Sequence, residues 1–281
     1  MIKFMSLSSG SSGNCYYLAS DEGGLLIDAG IPARSIAKEL KSIGVSLDSG
    51  WIKGLVITHE HADHTRTAGV IGGIYNIPVY ASVPVHNSIA TSRFINESIG
   101  ASRRNLELGE HFSLAGFELQ SFLVPHDSLQ NYGYHIRRGD FSFTLATDIG
   151  HLTSDIRRFA SQAKYLVVEA NYDPEMLRSG SYPAFLKDRV SGPFGHLSNG
   201  ETASFLGEIY NPLLKHVWLC HLSKENNHPD LCWKSISSHL YNMGLRVGKT
   251  EDNHQPHYEG KDLILDVLPR TKATQVFLLE E

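Results

Sequence analysis

The segment Thr58-His59-Glu60-His61-Ala62-Asp63-His64 constrains this chain more than any other. It places several metal-ligating side chains directly after the apolar run Gly54-Leu55-Val56-Ile57. In extended backbone, residues two apart point to the same side, so His59 and His61 can share one ion. A turn after them swings Asp63 and His64 toward a second ion. Imidazole and carboxylate ligands suit Zn, Mn or Fe, and the cluster holds no thiolate to demand a softer metal. A single histidine after a strand is ordinarily a surface or hydrogen-bonded core residue. The full His-x-His-x-Asp-His pattern is much harder to explain that way.

One such cluster cannot fill two coordination shells, so further ligands are expected from other strand ends. The same design recurs along the chain: Leu25–Ile27 ends at Asp28, Leu119–Pro125 at His126, Phe141–Thr147 at Asp148, Tyr165–Val168 at Glu169 and Val217–Cys220 at His221. Short apolar runs of this kind read as buried strands. His126 would complete a histidine-rich first site and His221 the second. Asp148 is placed to bridge them, because a carboxylate can span cations roughly 3.5–4 Å apart. Asp28 is expected to orient a ligand histidine from behind. His196, in Gly195-His196-Leu197-Ser198-Asn199, is left over from both shells. It either contacts substrate and protonates a leaving group, or belongs to a purely structural turn. Cys220 reads as a small core residue. Cys220, His221, His228 and Cys232 lack the paired spacing of a zinc knuckle. His254 and His257 read as exposed loop residues.

Between the strands the pattern predicts helices over Ser35–Ile43, Glu201–Tyr210 and Asp230–Met243, with Ser198 or Asn199 capping the second and Pro229 just before the third. Leu263–Leu268 reads as a further strand. Alternating strands and helices imply an α/β architecture, and polar strand ends converge on one sheet edge, where such folds place their sites. No linker, repeat or composition shift divides the chain, so 1–281 is read as a single domain. The net charge of −5 argues against a basic nucleic-acid coat but leaves room for a local basic face. The three cysteines form no disulfide framework, and no apolar signal core or membrane-length run is visible. A soluble, cytoplasmic protein is expected.

These residues in this order resemble the metallo-β-lactamase superfamily. That resemblance implies an αββα sandwich: two mixed β-sheets face to face, helices outside, and two divalent metal ions at one edge. Four further segments narrow it to the YycJ/WalJ-like subgroup. They are Ser8-Ser9-Gly10-Ser11-Ser12-Gly13-Asn14-Cys15, Glu169-Ala170-Asn171-Tyr172-Asp173, Gly195-His196-Leu197-Ser198-Asn199 and His221-Leu222-Ser223-Lys224-Glu225-Asn226-Asn227. Tyr172 departs from the pattern, standing where the subgroup is expected to carry His. The chain has no cysteine at the Asp148 position, as secreted β-lactamases of this fold do. It has His61 where flavin-linked diiron relatives have Glu. The stretch from Asp148 to His221 is too short for the extra domain of β-CASP nucleases.

The resemblance implies a DNA exonuclease that runs from the 5′ end, uses manganese and acts in DNA repair. In such a site two cations lower the pKa of a shared water, and the resulting hydroxide attacks the phosphodiester. Asp63 and His196 are the candidate catalytic residues. Ser11, Ser12 and Asn14 of the Ser/Gly loop, with Ser198 and Asn199, are candidate substrate contacts. The loop N–H groups could hold phosphate, or the loop is an ordinary tight turn. Arg137-Arg138, Arg157-Arg158 and Lys187-Asp188-Arg189 are candidate contacts to the DNA backbone, or scattered surface charge. Two alternatives stand beside this reading. One is a small-molecule hydrolase acting on a cyclic phosphodiester, thioester or lactone, marked by a closed apolar pocket. The other is a metal-binding protein without catalysis, marked by filled coordination shells.

Overall fold

Alternate residues of a strand face opposite ways, so a strand apolar at every position must be covered on both faces. The computed structural model describes residues 1–281 and shows how that cover is supplied. The chain runs β1 (Ile2–Ser8), β2 (Cys15–Ala19), β3 (Gly24–Ile27), α1 (Ala33–Ser42), β4 (Ile52–Val56), α2 (Ala62–Thr65), β5 (Val79–Ala81), α3 (Val83–Thr91) and β6 (Arg103–Asn105). It continues through β7 (His111–Leu114), β8 (Phe117–Leu123), β9 (Tyr132–Arg138), β10 (Phe141–Ala146), α4 (Ser154–Ser161) and β11 (Tyr165–Glu169). It ends with α5 (Pro174–Ser179), α6 (Ala184–Val190), α7 (Asn199–Ile209), β12 (His216–Cys220), α8 (Pro229–Asn242), β13 (Val247–Gly248), β14 (Leu263–Val267) and β15 (Phe277–Leu279).

Seven strands form one sheet in the order β15-β1-β2-β3-β4-β5-β6, and eight form the other in the order β13-β14-β12-β11-β10-β9-β8-β7. Each is mixed: β3 to β6 run parallel in the first, and β10, β11, β12, β14 and β13 in the second. Tyr16 and Leu18 of β2 join Trp218 and Cys220 of β12 in the core between the sheets. Tyr17 and Ala19 face outward onto α1, through Ile36 and Leu40. Val217 and Leu219 face outward onto α7 and α8, through Phe205, Leu206, Ile236 and Leu240. The layers are therefore helix, sheet, sheet, helix, as expected. Trp218 packs at 4.6 Å from Phe4 and 5.2 Å from Phe277, tying the amino- and carboxyl-terminal strands into one interior.

The expected strands and helices are present with ends displaced by a residue or two. The helix expected from Ser35 begins at Ala33, behind Pro32. Ser198 caps α7 in a full capping box with Glu201, and Pro229 is the first residue of α8. No helix is long and apolar enough to cross a membrane.

At the carboxyl ends of the parallel strands, three loops are laced together. Asn14 N–H donates to the Asp63 carbonyl (2.7 Å), Gly30 N–H to the Asn14 carbonyl (2.9 Å) and Ala29 N–H to the His64 carbonyl (2.8 Å). Gly30 lies so near the Asp63 carbonyl that a Cβ there would overlap it. Replacing Gly30 by alanine should therefore displace the His59–His64 loop and lower stability by more than about 2 kcal/mol. Gly200→Ala, with nothing nearer than Ser198 Oγ at 4.0 Å, should be neutral or stabilising by up to about 1 kcal/mol. Chemical denaturation of both variants checks the contrast, and equal stabilities would contradict it.

Candidate metal centre

Most of the site side chains sit at or just beyond a strand end, while Asp63 and His64 lie on α2 and His196 lies just before α7. Asp28 follows β3, Asp148 follows β10 by two residues, and His221 follows β12 directly. All three have left-handed backbone, with φ of 61°, 55° and 54°. Such conformations cost about 1–3 kcal/mol each in non-glycine residues and collect at functional sites. Here they turn three polar side chains inward at the moment the chain leaves the sheet.

Two histidine groups result. His59, His61 and His126 bring ligand atoms within 4.8 Å of one another, with ring centroids 4.7 to 5.2 Å apart. His126 Nδ1 donates to the Gly195 carbonyl (3.1 Å), which leaves its Nε2 for the site. His59 Nδ1 meets Thr58 Oγ1 (3.0 Å), and its Nε2 is buried without any protein partner. An orphaned buried nitrogen facing two other imidazoles fits a cation. The second group is Asp63, His64 and His221. Asp148 stands between them: Oδ2 is 3.3 Å from His64 Nε2, while Oδ1 is 3.5 Å from His221 Nε2 and 3.7 Å from His126 Nε2.

Behind the histidines lie two fully buried carboxylates. Asp28 Oδ2 accepts from His64 Nδ1 (2.7 Å), and its oxygens also take the N–H and hydroxyl of Thr58. Glu169, which the sequence marks as a strand end and as part of a subgroup segment without giving it a role, is the other such group. Its Oε1 accepts from His196 Nδ1 (2.8 Å) and His221 Nδ1 (3.0 Å), and its Oε2 from the N–H groups of Ile149 (2.8 Å) and Leu197 (3.1 Å). Those four donors occupy its lone pairs, so Glu169 orients the two imidazoles and is not itself suited to a cation. The signal that could have found it was its place at the end of an apolar run, shared with Asp28 and Asp148.

The groups differ in charge. Burial holds the His59 and His126 pKa values below the usual imidazole range, so both are neutral. Burial alone would also lower His64, but the carboxylates of Asp28, Asp148 and Asp63 outweigh it and raise its pKa well above the ordinary value. His221 is opposed by burial in the same way and is carried up to about 10 by Asp148, Asp63 and Glu169. Asp148 resists the upward push of burial and is held well below the carboxylate range by His221, His64 and His59. His196, partly exposed, is raised because Glu169 overcomes burial.

Other expected contacts are placed elsewhere. Asn14 is fully buried: its amide bonds Gly10 through both ends and reaches His64 Nε2 at 3.0 Å. Asn199 is also fully buried against Asn227, and Ser198 spends its hydroxyl on the helix cap. None of the three is free for substrate. The N–H groups of Gly10, Gly13 and Asn14 are bonded within the protein, so the loop is a tight turn that leaves the N–H groups and exposed side chains of Ser11 and Ser12 to offer. Arg137 and Arg138 close β9 opposite Phe141, at the far edge of the sheet from Asp148, and Arg138 pairs with Asp21 and Glu22. Arg157 pairs with Glu208 (2.8 Å). Arg189 does lie at the centre: its Nε bonds Asp127 Oδ2 (2.5 Å), and Asp127 Oδ1 is 3.2 Å from His126 Nε2. Tyr172 is buried in a bridge to Ser198, and burial raises its pKa to about 12.

The β-lactamase superfamily domain matches residues 24–221. Exodeoxyribonuclease WalJ of Streptococcus pneumoniae serotype 2 (strain D39) is 33% identical over 246 residues, covering 88% of this chain and 91% of that protein. Exodeoxyribonuclease YycJ of Bacillus anthracis is 31% identical over 253 residues, covering 90% and 94%. Among solved structures, Zn(2+)-bound PqqB of Methylobacterium extorquens superposes with a TM-score of 0.69 at 15% identity, covering 99% of this chain and all of that one (100%). That likeness shows the shared metallo-β-lactamase fold.

The charge difference between the two histidine groups predicts unequal metal loading. A cation entering beside the neutral His59 and His126 displaces no proton from either imidazole. One entering beside His64 and His221 must displace theirs, so its affinity should fall about tenfold per pH unit for each proton as pH is lowered through neutrality. Stepwise titration with zinc in weakly buffered solution should show proton release with one equivalent far more than with the other. Equal release from both would contradict the assignment.

Proposed function

The chain belongs to the β-lactamase superfamily, and from that premise we propose that it is a binuclear metal-dependent phosphodiesterase, a DNA exonuclease working from the 5′ end in DNA repair. That it is a metal-dependent hydrolase follows from its family and relatives. The observation that carries the DNA reading is its likeness, over nearly the whole chain, to proteins named exodeoxyribonucleases. Because the ligand-bearing loops come from both sheets, residues 1–281 work as a single domain. The cytoplasm is the proposed compartment, consistent with cysteines that are all unpaired and buried.

His59, His61, His126 and Asp148 would hold one cation, and Asp63, His64, His221 and Asp148 the other. Two divalent cations there, manganese, zinc or iron, would supply Lewis acidity: they acidify water and offset charge on phosphoryl oxygens. Asp63, more open than the histidines around it, would align the attacking water. Asp28 and Glu169 hold the rings of His64, His196 and His221 in position. Glu169 takes His196 Nδ1, which leaves Nε2 on the open side to give a proton to the leaving 3′-oxygen. Exposed Arg34 near the start of α1, Arg66 just after α2 and Lys224 on the loop that follows His221 can meet the DNA backbone.

End-labelled single- and double-stranded DNA incubated with manganese-loaded protein should be digested from the 5′ end, and Asp63→Ala should abolish digestion. Hydrolysis of a small phosphodiester or thioester with both DNAs intact would overturn the substrate assignment. Glu169 raises the His196 pKa against the opposing effect of burial, so its contribution as an acid is present below that pKa and lost as pH rises through it. Substitution of His196 by Gln should lower kcat about 10²- to 10⁴-fold and flatten the alkaline limb of the pH profile. An unchanged limb would assign the proton to another group.

A further inference from the structure

Between the buried Leu177 and the buried Gly195 the chain leaves the body of the protein. From Arg178 through Phe194 no residue is buried, and α6 contributes nothing to the core. This arm nevertheless carries two of the most exposed large apolar side chains in the protein, Phe185 at 73% and Phe194 at 55% exposure. Neither ring stabilises the fold where it stands.

The arm is held against the proposed metal centre. Asp127 N–H donates to the Phe194 carbonyl (2.9 Å), and His126 Nδ1 to the carbonyl of the next residue, Gly195 (3.1 Å). The Phe194 ring meets His151 edge-on at 5.9 Å, on the loop that follows Asp148. Arg189 bonds Asp127 beside His126. Phe185 and Arg189 are four residues apart on α6 and so share one face. Phe194 beside His151 and Arg189 beside Asp127 thus stand at the mouth of the site, and exposed Phe185 lies on the same helical face as Arg189.

We propose that this arm is a clamp for the unpaired end of a DNA strand, with Phe185 and Phe194 stacking on bases and Arg189 taking a backbone phosphate. The proposal rests on the nuclease reading and names the form of DNA that the site receives. A flat ring stacks on any base without regard to sequence, and a cationic group beside it tracks the backbone. A duplex covers its base faces with neighbouring pairs, so only a single-stranded or frayed end can use two such rings. The position of Arg189 also argues against a protein occupant, because a partner seated on these rings would cover the metal centre.

Binding is measured by fluorescence anisotropy of a labelled single-stranded 12-mer, in an Asp63→Asn, manganese-loaded background so that the DNA is not digested. Replacing both rings by leucine (F185L with F194L) keeps apolar surface but removes stacking. Affinity should fall at least about tenfold, given a factor of about 5 to 150 per stacked base. The tryptophan pair (F185W with F194W) should bind like the parent, and all three should melt alike because the rings are exposed. Arg189→Ala should reduce the slope of log affinity against log salt by about 0.7. A leucine pair that binds as tightly as the parent, while unmutated protein digests DNA, would overturn the clamp and leave the nuclease reading standing. Unmutated protein that hydrolyses bis(p-nitrophenyl) phosphate but neither binds nor digests DNA would overturn both.

Discussion

An ionised carboxylate removed from water must be met by donors or it will not stay ionised. Asp28 and Glu169 are both fully buried, and each takes imidazole and backbone N–H groups, which overcome burial and lower the Glu169 pKa while burial still raises that of Asp28. The consequence reaches the surface of the site. With Nδ1 of His64, His196 and His221 held from below, each ring is fixed in one orientation with Nε2 turned away from its carboxylate. Asp148 then lies within reach of Nε2 on His64, His126 and His221. Ligand geometry is thus determined beneath the ligands.

The two sheets make this possible by ending at the same edge. Parallel strands β3 and β4 in one sheet, and β10, β11 and β12 in the other, all deliver their carboxyl ends there. Strain and close packing are concentrated in the same place. Left-handed Asp28, Asp148 and His221 sit beside Gly30, whose missing side chain admits the Asp63 carbonyl. The cost in backbone energy is offset by a double-sided core in which the central strands β3, β11 and β12 are buried on both faces.

Much of this is legible in the sequence because polar residues that end apolar runs cannot remain in the core. That rule places His126, Asp148 and His221 with the His59–His64 cluster. Asp28 is expected in a supporting role, and its Oδ2 lies 2.7 Å from His64 Nδ1. The rule does not separate a ligand from a supporter, so Glu169 carried no role until its four donors were seen. Nor does it distinguish exposed from buried polar residues in loops. Asn14, Ser198 and Asn199 look like substrate contacts in a Ser/Gly- and Asn-rich chain, but all three bond to backbone or neighbouring amides. Arg137 and Arg138 fail for another reason: adjacent cations at the end of a strand lie at whichever edge that strand reaches, and β9 runs away from the site. The exposed arm around Phe185 has no periodic signature, since a helix that packs on nothing needs none.

Asp148 shared between two cations is the central claim, because it turns two histidine groups into one site. Electron paramagnetic resonance of manganese-loaded protein tests it most directly. Cations bridged by one carboxylate lie roughly 3.5–4 Å apart, so two equivalents of manganese should give an exchange-coupled spectrum, and Asp148→Ala should abolish it. Two equivalents that show only the six-line signal of isolated manganese would mean that the groups bind independently, and the shared centre would be wrong.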